Sequence, residues 1–178
     1  MTRILLLLLL ALFLIGQCAS ASPNLAVIST YSSATWLPAD VNKNTCKMVD
    51  DYLADRYFAV VFDGSKTVNR KELAKKIGQL DGGCVVLIEL QCFYDPPYTK
   101  ARLASDIKPT DTVATVLMNY SVYMPSQDKW LDDRIVQRTV FRDTVVPLER
   151  ACQEAVRQAL PKLTVKMDSL PDDNLFGK

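Results

Sequence analysis

The segment Cys84 to Phe93 (CVVLIELQCF) leaves a chain of this kind few choices. Strand periodicity puts Cys84, Val86, Ile88, Leu90 and Cys92 on one face, all apolar, while on the other Val85 and Leu87 give way to Glu89, Gln91 and Phe93. One face must be buried along its whole length and the other only at its start. Such a strand needs other strands beside it and helices over it. The sequence supplies both. Asn24 to Thr30 (NLAVIST) and Phe58 to Phe62 (FAVVF) are short β-branched runs suited to buried strands. Between them, after Pro38 and Asp40, the residues Val41, Thr45, Met48, Val49, Tyr52 and Leu53 recur at helical spacing up to about Arg56. A second helix is expected from Asn69, which caps it while Glu72 bonds back and Val68 meets Leu73, to about Leu80, where Asp81-Gly82-Gly83 stops it.

Tyr94 to Asp111 contains Pro96, Pro97 and Pro109 without a sustained apolar period, and reads as a long surface connection. Thr112 to Met124 and Lys129 to Arg142 are strand-like runs joined at Pro125-Ser126-Gln127-Asp128, a β-hairpin. The last helix is expected to start near Thr144, to hold Pro147 in its first turn and to present Leu148, Ala151, Cys152, Ala155, Val156, Ala159 and Leu160 as one apolar stripe. Pro161 is expected to close it, leaving residues 164–178 as a flexible tail. The expectation is a single α/β domain over residues 22–163. It has a mixed sheet of about five strands with three helices, and its C-terminal β-hairpin is followed by the final helix.

Residues 1–21 have the form of a cleavable signal peptide: a basic start at Arg3, an apolar run from Ile4 to Ile15, and the small-x-small pattern Ala19-Ser20-Ala21, with cleavage expected between Ala21 and Ser22. The apolar run falls short of the roughly 20 residues a spanning helix requires, so no integral membrane segment is expected after cleavage. Cleavage before Cys18, as in a lipoprotein, is the alternative, but Gln17 stands where that signal needs a small residue. The expected location is periplasmic or extracellular. There, Cys46, Cys84, Cys92 and Cys152 become candidates for disulfides. Cys84 and Cys92 on one strand lie about 26 Å apart and cannot pair with each other. Cys46 with Cys152, or crossed pairs joining each helix cysteine to a strand cysteine, remain open, as does a set of four buried thiols.

With Arg3 removed, the 21 Lys and Arg fall to the same number as the 20 Asp and Glu, so charge gives no reason to expect nucleic acid as a partner. The chain has no histidine, which excludes Ser-His-Asp and Cys-His catalysis and imidazole metal sites. No CxxC pair and no glycine between Ser29 and Pro38 offer a zinc, redox or phosphate site, so no cofactor is expected. Carboxylates remain: Glu89, Asp95, Asp132 and Asp133. Asp132 and Asp133 point to opposite sides of their strand and cannot act as a close pair. Apolar bulk at Trp36, Tyr120, Val122, Met124 and Trp130 marks a candidate interaction surface on the first strand-to-helix loop and the hairpin.

The element order, with LAVI at Leu25 to Ile28, FAVVF after the first helix, the Gly82-Gly83 step into CVVLIEL and an alanine-rich last helix, resembles a known bacterial group. These are the envelope-assembly domains of the TolB amino-terminal, curli-secretion CsgG and penicillin-binding-protein-activator LpoB type. The resemblance implies a non-enzymatic accessory module that binds another cell-envelope protein. Gln17 departs from the lipoprotein signal frequent in that group, and the cysteines are not part of its pattern. Two other expectations stand beside it: a secreted hydrolase using Glu89 and Asp95 without histidine, and a small-ligand carrier using the Trp36 loop.

Overall fold

The computed structural model of the protein describes residues 26–57, 59–61, 70–71, 84–98, 106–124 and 127–170. They form strand β1 (Ala26–Ser32), helix α1 (Ala39–Tyr57), β2 (Ala59–Val61), β3 (Cys84–Asp95), β4 (Thr112–Met124), β5 (Lys129–Phe141) and helix α2 (Leu148–Asp168). The strands make one mixed sheet in the order β2-β1-β3-β4-β5. In it β1 runs parallel to β2 and β3, while β3, β4 and β5 are antiparallel in turn. The α/β class is the expected one, and the hairpin is β4 with β5, paired from Thr112↔Phe141 to Met124↔Lys129. The helix expected at Asn69 to Leu80 lies outside the described residues apart from Arg70 and Lys71, which are helical. The signal segment, the Ala21–Ser22 junction and the Cys84 side chain also lie outside them.

Both helices cover one face of the sheet. Val86, Ile88, Leu90 and Cys92 of β3 and Ala114 to Met124 at alternate positions of β4 share a core with Val41, Val49 and Leu53 of α1 and the stripe of α2. The helices lie side by side in the same direction, because Asn44 near the start of α1 donates to Glu149 near the start of α2, and Tyr57 and Arg56 at its end donate to Asp168. The turn from β1 into α1 is fixed by Asn42, whose side chain donates to the Ala34 carbonyl and accepts from Ser32.

Several boundaries differ from expectation. β1 runs on through Tyr31 and Ser32 because both pair with β3, at Glu89 and Leu90. β3 likewise continues to Asp95, opposite Val113, so the connection to β4 begins later than Tyr94. Helix α2 starts at Leu148 with Pro147 as its cap residue rather than in its first turn. It also passes through Pro161 to Asp168, and Leu163, Thr164 and Met167 are buried, so the tail does not begin at residue 164. Continuing burial on the same stripe offsets the lost hydrogen bond, which costs about 3 kcal/mol in a helix interior. The disulfide expectation fails among the described residues: Cys46, Cys92 and Cys152 are free thiols. Cys152 on α2 and Cys92 on β3 lie in the core and Cys46 on α1 packs against it, as small apolar side chains.

One buried polar contact is imperfect. Thr30 Oγ1 on β1 and Asp50 Oδ1 on α1 are buried without a hydrogen-bond partner. Burial pushes the Asp50 carboxyl up to about 6, and Thr30 lies close enough to moderate the shift without forming a well-aligned bond. The folded-state value therefore exceeds the unfolded one. Below about pH 4 both states are neutral and nothing is lost; as pH rises through 6 the folded state must bury a charge and stability falls. Asp50→Asn is expected to stabilise the protein by about 1 kcal/mol at pH 8, after discounting for partial exposure, and to have no effect at pH 4. Thermal melts of both proteins at the two pH values check this; an equal shift at both would assign the effect to something other than the charge.

Candidate functional site

The opposite face of the sheet is covered only in part. Toward the start of β3, Val85 and Leu87 are buried beside Tyr123 and Ser121 of β4. There Arg70 donates to Ser121 and, at 2.8 Å, to Asp132, with its guanidinium 5.2 Å from the Trp130 ring centre. Toward the other end Glu89, Gln91 and Phe93 emerge, as the alternation of β3 requires.

Register turns this open half into an ordered array. Tyr31, Glu89, Asn119 and Arg134 occupy successive positions across β1, β3, β4 and β5. The side chains of Glu89, Asn119 and Arg134, with Ser33 and Gln91, form a ladder. Gln91 donates to Ser33 at 2.7 Å and to Glu89 at 3.1 Å, Asn119 donates to Glu89 at 3.0 Å, and Arg134 Nε donates to the Asn119 carbonyl at 2.8 Å. Hydrogen bonds from Ser33 and Asn119 hold the Glu89 carboxyl below its ordinary range, so it stays ionised. The neighbouring Tyr31 hydroxyl is pushed up, first by burial and then by the Glu89 charge. At the β5 end, an open cleft of about 370 Å³ is lined by Arg70, Asn119, Tyr120, Ser121, Asp132, Asp133 and Arg134.

Aromatic groups close the other end. Trp36, in the loop between β1 and α1, donates its indole N–H to the Cys92 carbonyl at 2.9 Å and stacks on Phe93 with ring centres 5.1 Å apart. Both remain open to solvent, Trp36 at 53% and Phe93 at 41%, and Val136 on the same face is 55% exposed. A tryptophan held by its only polar atom and yet half exposed is a fixed, apolar projection.

Of the residues expected to form an interaction surface, Trp36 belongs to this face and Trp130 lies at its margin, tilted against Tyr123. Tyr120, Val122 and Met124 do not belong to it: they are core residues at 3%, 0% and 0% exposure, on the face covered by the helices. Phe93 and Val136 complete the exposed set. The alternation of β3 already put Phe93 on this side, whereas Val136 was not distinguishable from the other apolar residues of β5. Glu89 and Asp95 are six steps apart along β3, about 20 Å, well beyond any two-carboxylate hydrolytic geometry. Asp132 is held ionised by Ser121 and Arg70, and Asp133 is lowered to about 2 by Lys166, the Arg134 amide and Tyr120. Among the described residues no cluster of metal-ligating side chains is present, and no helix is long and apolar enough to cross a membrane.

No protein-family model matches the chain, and no curated protein matches it. Solved structures do. A Helicobacter pylori protein described as a homolog of neuraminyllactose-binding hemagglutinin has a TM-score of 0.51 at 13% identity, over 86% of each chain. A lipoprotein from Neisseria meningitidis has a TM-score of 0.44 at 12% identity, covering 82% of this chain and 98% of that one. Rare lipoprotein B from Shewanella oneidensis has 0.37 at 11%, covering 81% and 98%. The first of these shows a shared fold.

Proposed function

We propose that the protein is an exported accessory module of a bacterial cell envelope, non-enzymatic, that holds another protein against the uncovered half of its sheet. The observation that carries this reading is the stacked, solvent-open pair Trp36 and Phe93 beside the ordered ladder from Ser33 to Arg134. Aromatic anchors ringed by polar groups are the usual composition of a protein contact. The ladder's groups already satisfy one another, so a partner that covers them strands few of them. Export is supported by the apolar leader and the Ala19-Ser20-Ala21 step. The resemblance in element order to the TolB, CsgG and LpoB type points to the same kind of work.

Site-specific photocrosslinking in the native cell tests this. A crosslinker at Trp36 or Val136 should trap a discrete envelope protein, and one at Val165, exposed on the helical side, should not. Phe93→Glu should weaken capture from position 136 at least about tenfold by placing a charge in the contact, whereas Glu89→Gln and Asp95→Asn should leave capture within about twofold. Adducts only from Val165, or none from the sheet face, would reject the assignment. Loss of a measurable hydrolytic activity in either carboxylate variant would favour the secreted-hydrolase alternative.

A further inference from the structure

Among the described residues β5 is an edge strand of 13 residues with β4 on one side only. Two side-chain contacts reveal which of its backbone groups face outward. The Arg134 amide donates to the Asp133 carboxylate at 2.7 Å, and the Arg138 carbonyl accepts from the Gln137 amide at 3.0 Å. Neither group is therefore engaged with β4. Because both backbone groups of a strand residue point the same way and alternate along the strand, the free row belongs to Trp130, Asp132, Arg134, Val136, Arg138 and Val140.

We infer that this edge pairs antiparallel with the same edge of a second copy of the chain, about a two-fold axis at Ile135. Ile135 is the midpoint of Lys129–Phe141, so this register overlaps the whole strand. It sets Asp132 opposite Arg138 of the second copy, twice by symmetry, and Trp130 opposite Val140 on the same face. Opposite charges across a strand pair are favourable and like charges are not. Other registers do worse. A two-fold at Val136 opposes Arg134 to Arg138, one at Asp133 matches Asp132 with Arg134 but sets the Asp133 carboxylate against its own copy and shortens the overlap to residues 129–137, and one at Arg134 or Gln137 shortens the overlap and matches no opposite charges within the strand.

The edge is free to make the exchange. When Asp133 releases the Arg134 amide it keeps Lys166 at 2.9 Å and Tyr120 at 3.0 Å; when Gln137 releases the Arg138 carbonyl it keeps Gln158 at 3.1 Å. No polar group is stranded by pairing. A mixed-sign edge of this length is also an unpaired template unless something covers it. Two-fold pairing yields one sheet running through both molecules, with the two Trp36–Phe93 surfaces on the same side of it.

Sedimentation velocity of the natively processed protein over a wide concentration range tests the inference. The wild type should show a monomer–dimer equilibrium. Val136→Pro removes an outward N–H and no β4 hydrogen bond, so it should keep its circular dichroism and lose the dimer. Should that variant misfold, a charge swap decides: D132R and R138D alone should each dimerise at least about tenfold more weakly, and mixing the two should restore a heterodimer, since every opposed pair is then Arg with Asp. A wild type that is monomeric up to its solubility limit overturns the inference. So does a Val136→Pro dimer of undiminished affinity, or a mixture no tighter than its components.

Discussion

Leu163→Ala is expected to destabilise the protein by about 2–5 kcal/mol, the loss seen when a leucine is truncated in a fully packed core. Leu163 lies beyond Pro161, where a helix would ordinarily stop, yet its side chain is fully buried, as is Met167 one turn later. Thr164 between them is buried too and returns a hydrogen bond to the Pro161 carbonyl. The last two turns of α2 therefore belong to the core and also bring Asp168 to Tyr57 at 2.9 Å, closing the seam between the helices. Urea unfolding should report the loss as a lower midpoint with an unchanged slope. A change of less than about 0.5 kcal/mol, the size of a surface effect, would mean that the helix ends at the proline.

The second large effect concerns the thiols. Cys46 and Cys92 of the native protein should alkylate at pH 8 at least about a thousandfold more slowly than in denaturant, since only the thiolate reacts. Burial, with the Asp50 charge adding to it, pushes Cys46 up to about 12. Cys92 is held protonated by its hydrogen bond to Cys152 and by burial. In both cases the sign is the same: the folded state disfavours the thiolate, and unfolding releases it. Peptide mass analysis after a timed pulse of iodoacetamide gives the rate at each cysteine. Failure to label any of the three in denaturant until a reductant is added would show that it is bridged, against the free thiols of the structure.

The fold was legible wherever burial is one-sided and uninterrupted. β4 begins and ends at Thr112 and Met124 as its alternation required, and β3 has the face that closes early and opens at Glu89. Local punctuation misled where tertiary packing outweighed it. Pro161 reads as a stop, but the spacing of Leu160, Leu163 and Met167 carried the helical period past it, and that period was the better signal. The site was legible only by half. β4 carries Thr115, Asn119 and Ser121 on the face opposite Tyr120, Val122 and Met124, so its alternation already pointed these three inward, where two helices bury them. Trp36 stood out as the bulky aromatic that follows the polar stretch Tyr31 to Thr35. Its contact with Phe93 spans 57 positions and has no local signature.

The position of β1 has a consequence in time. This strand sits between β2 and β3, and its longer pairing is with a strand that begins only at Cys84. The helix over it is α1, and the core over β3, β4 and β5 is completed by α2, the last element of the described residues. A polypeptide that emerges amino end first thus exposes β1 well before either neighbour exists, and no intermediate length encloses the apolar face of β3 and β4. Pairings of such long range form late, after the chain that makes them is all present. Collapse waits for the carboxyl end. The topology keeps the chain from closing its core until the last turn of α2 has been made, the condition that export of the kind proposed above would place on a polypeptide.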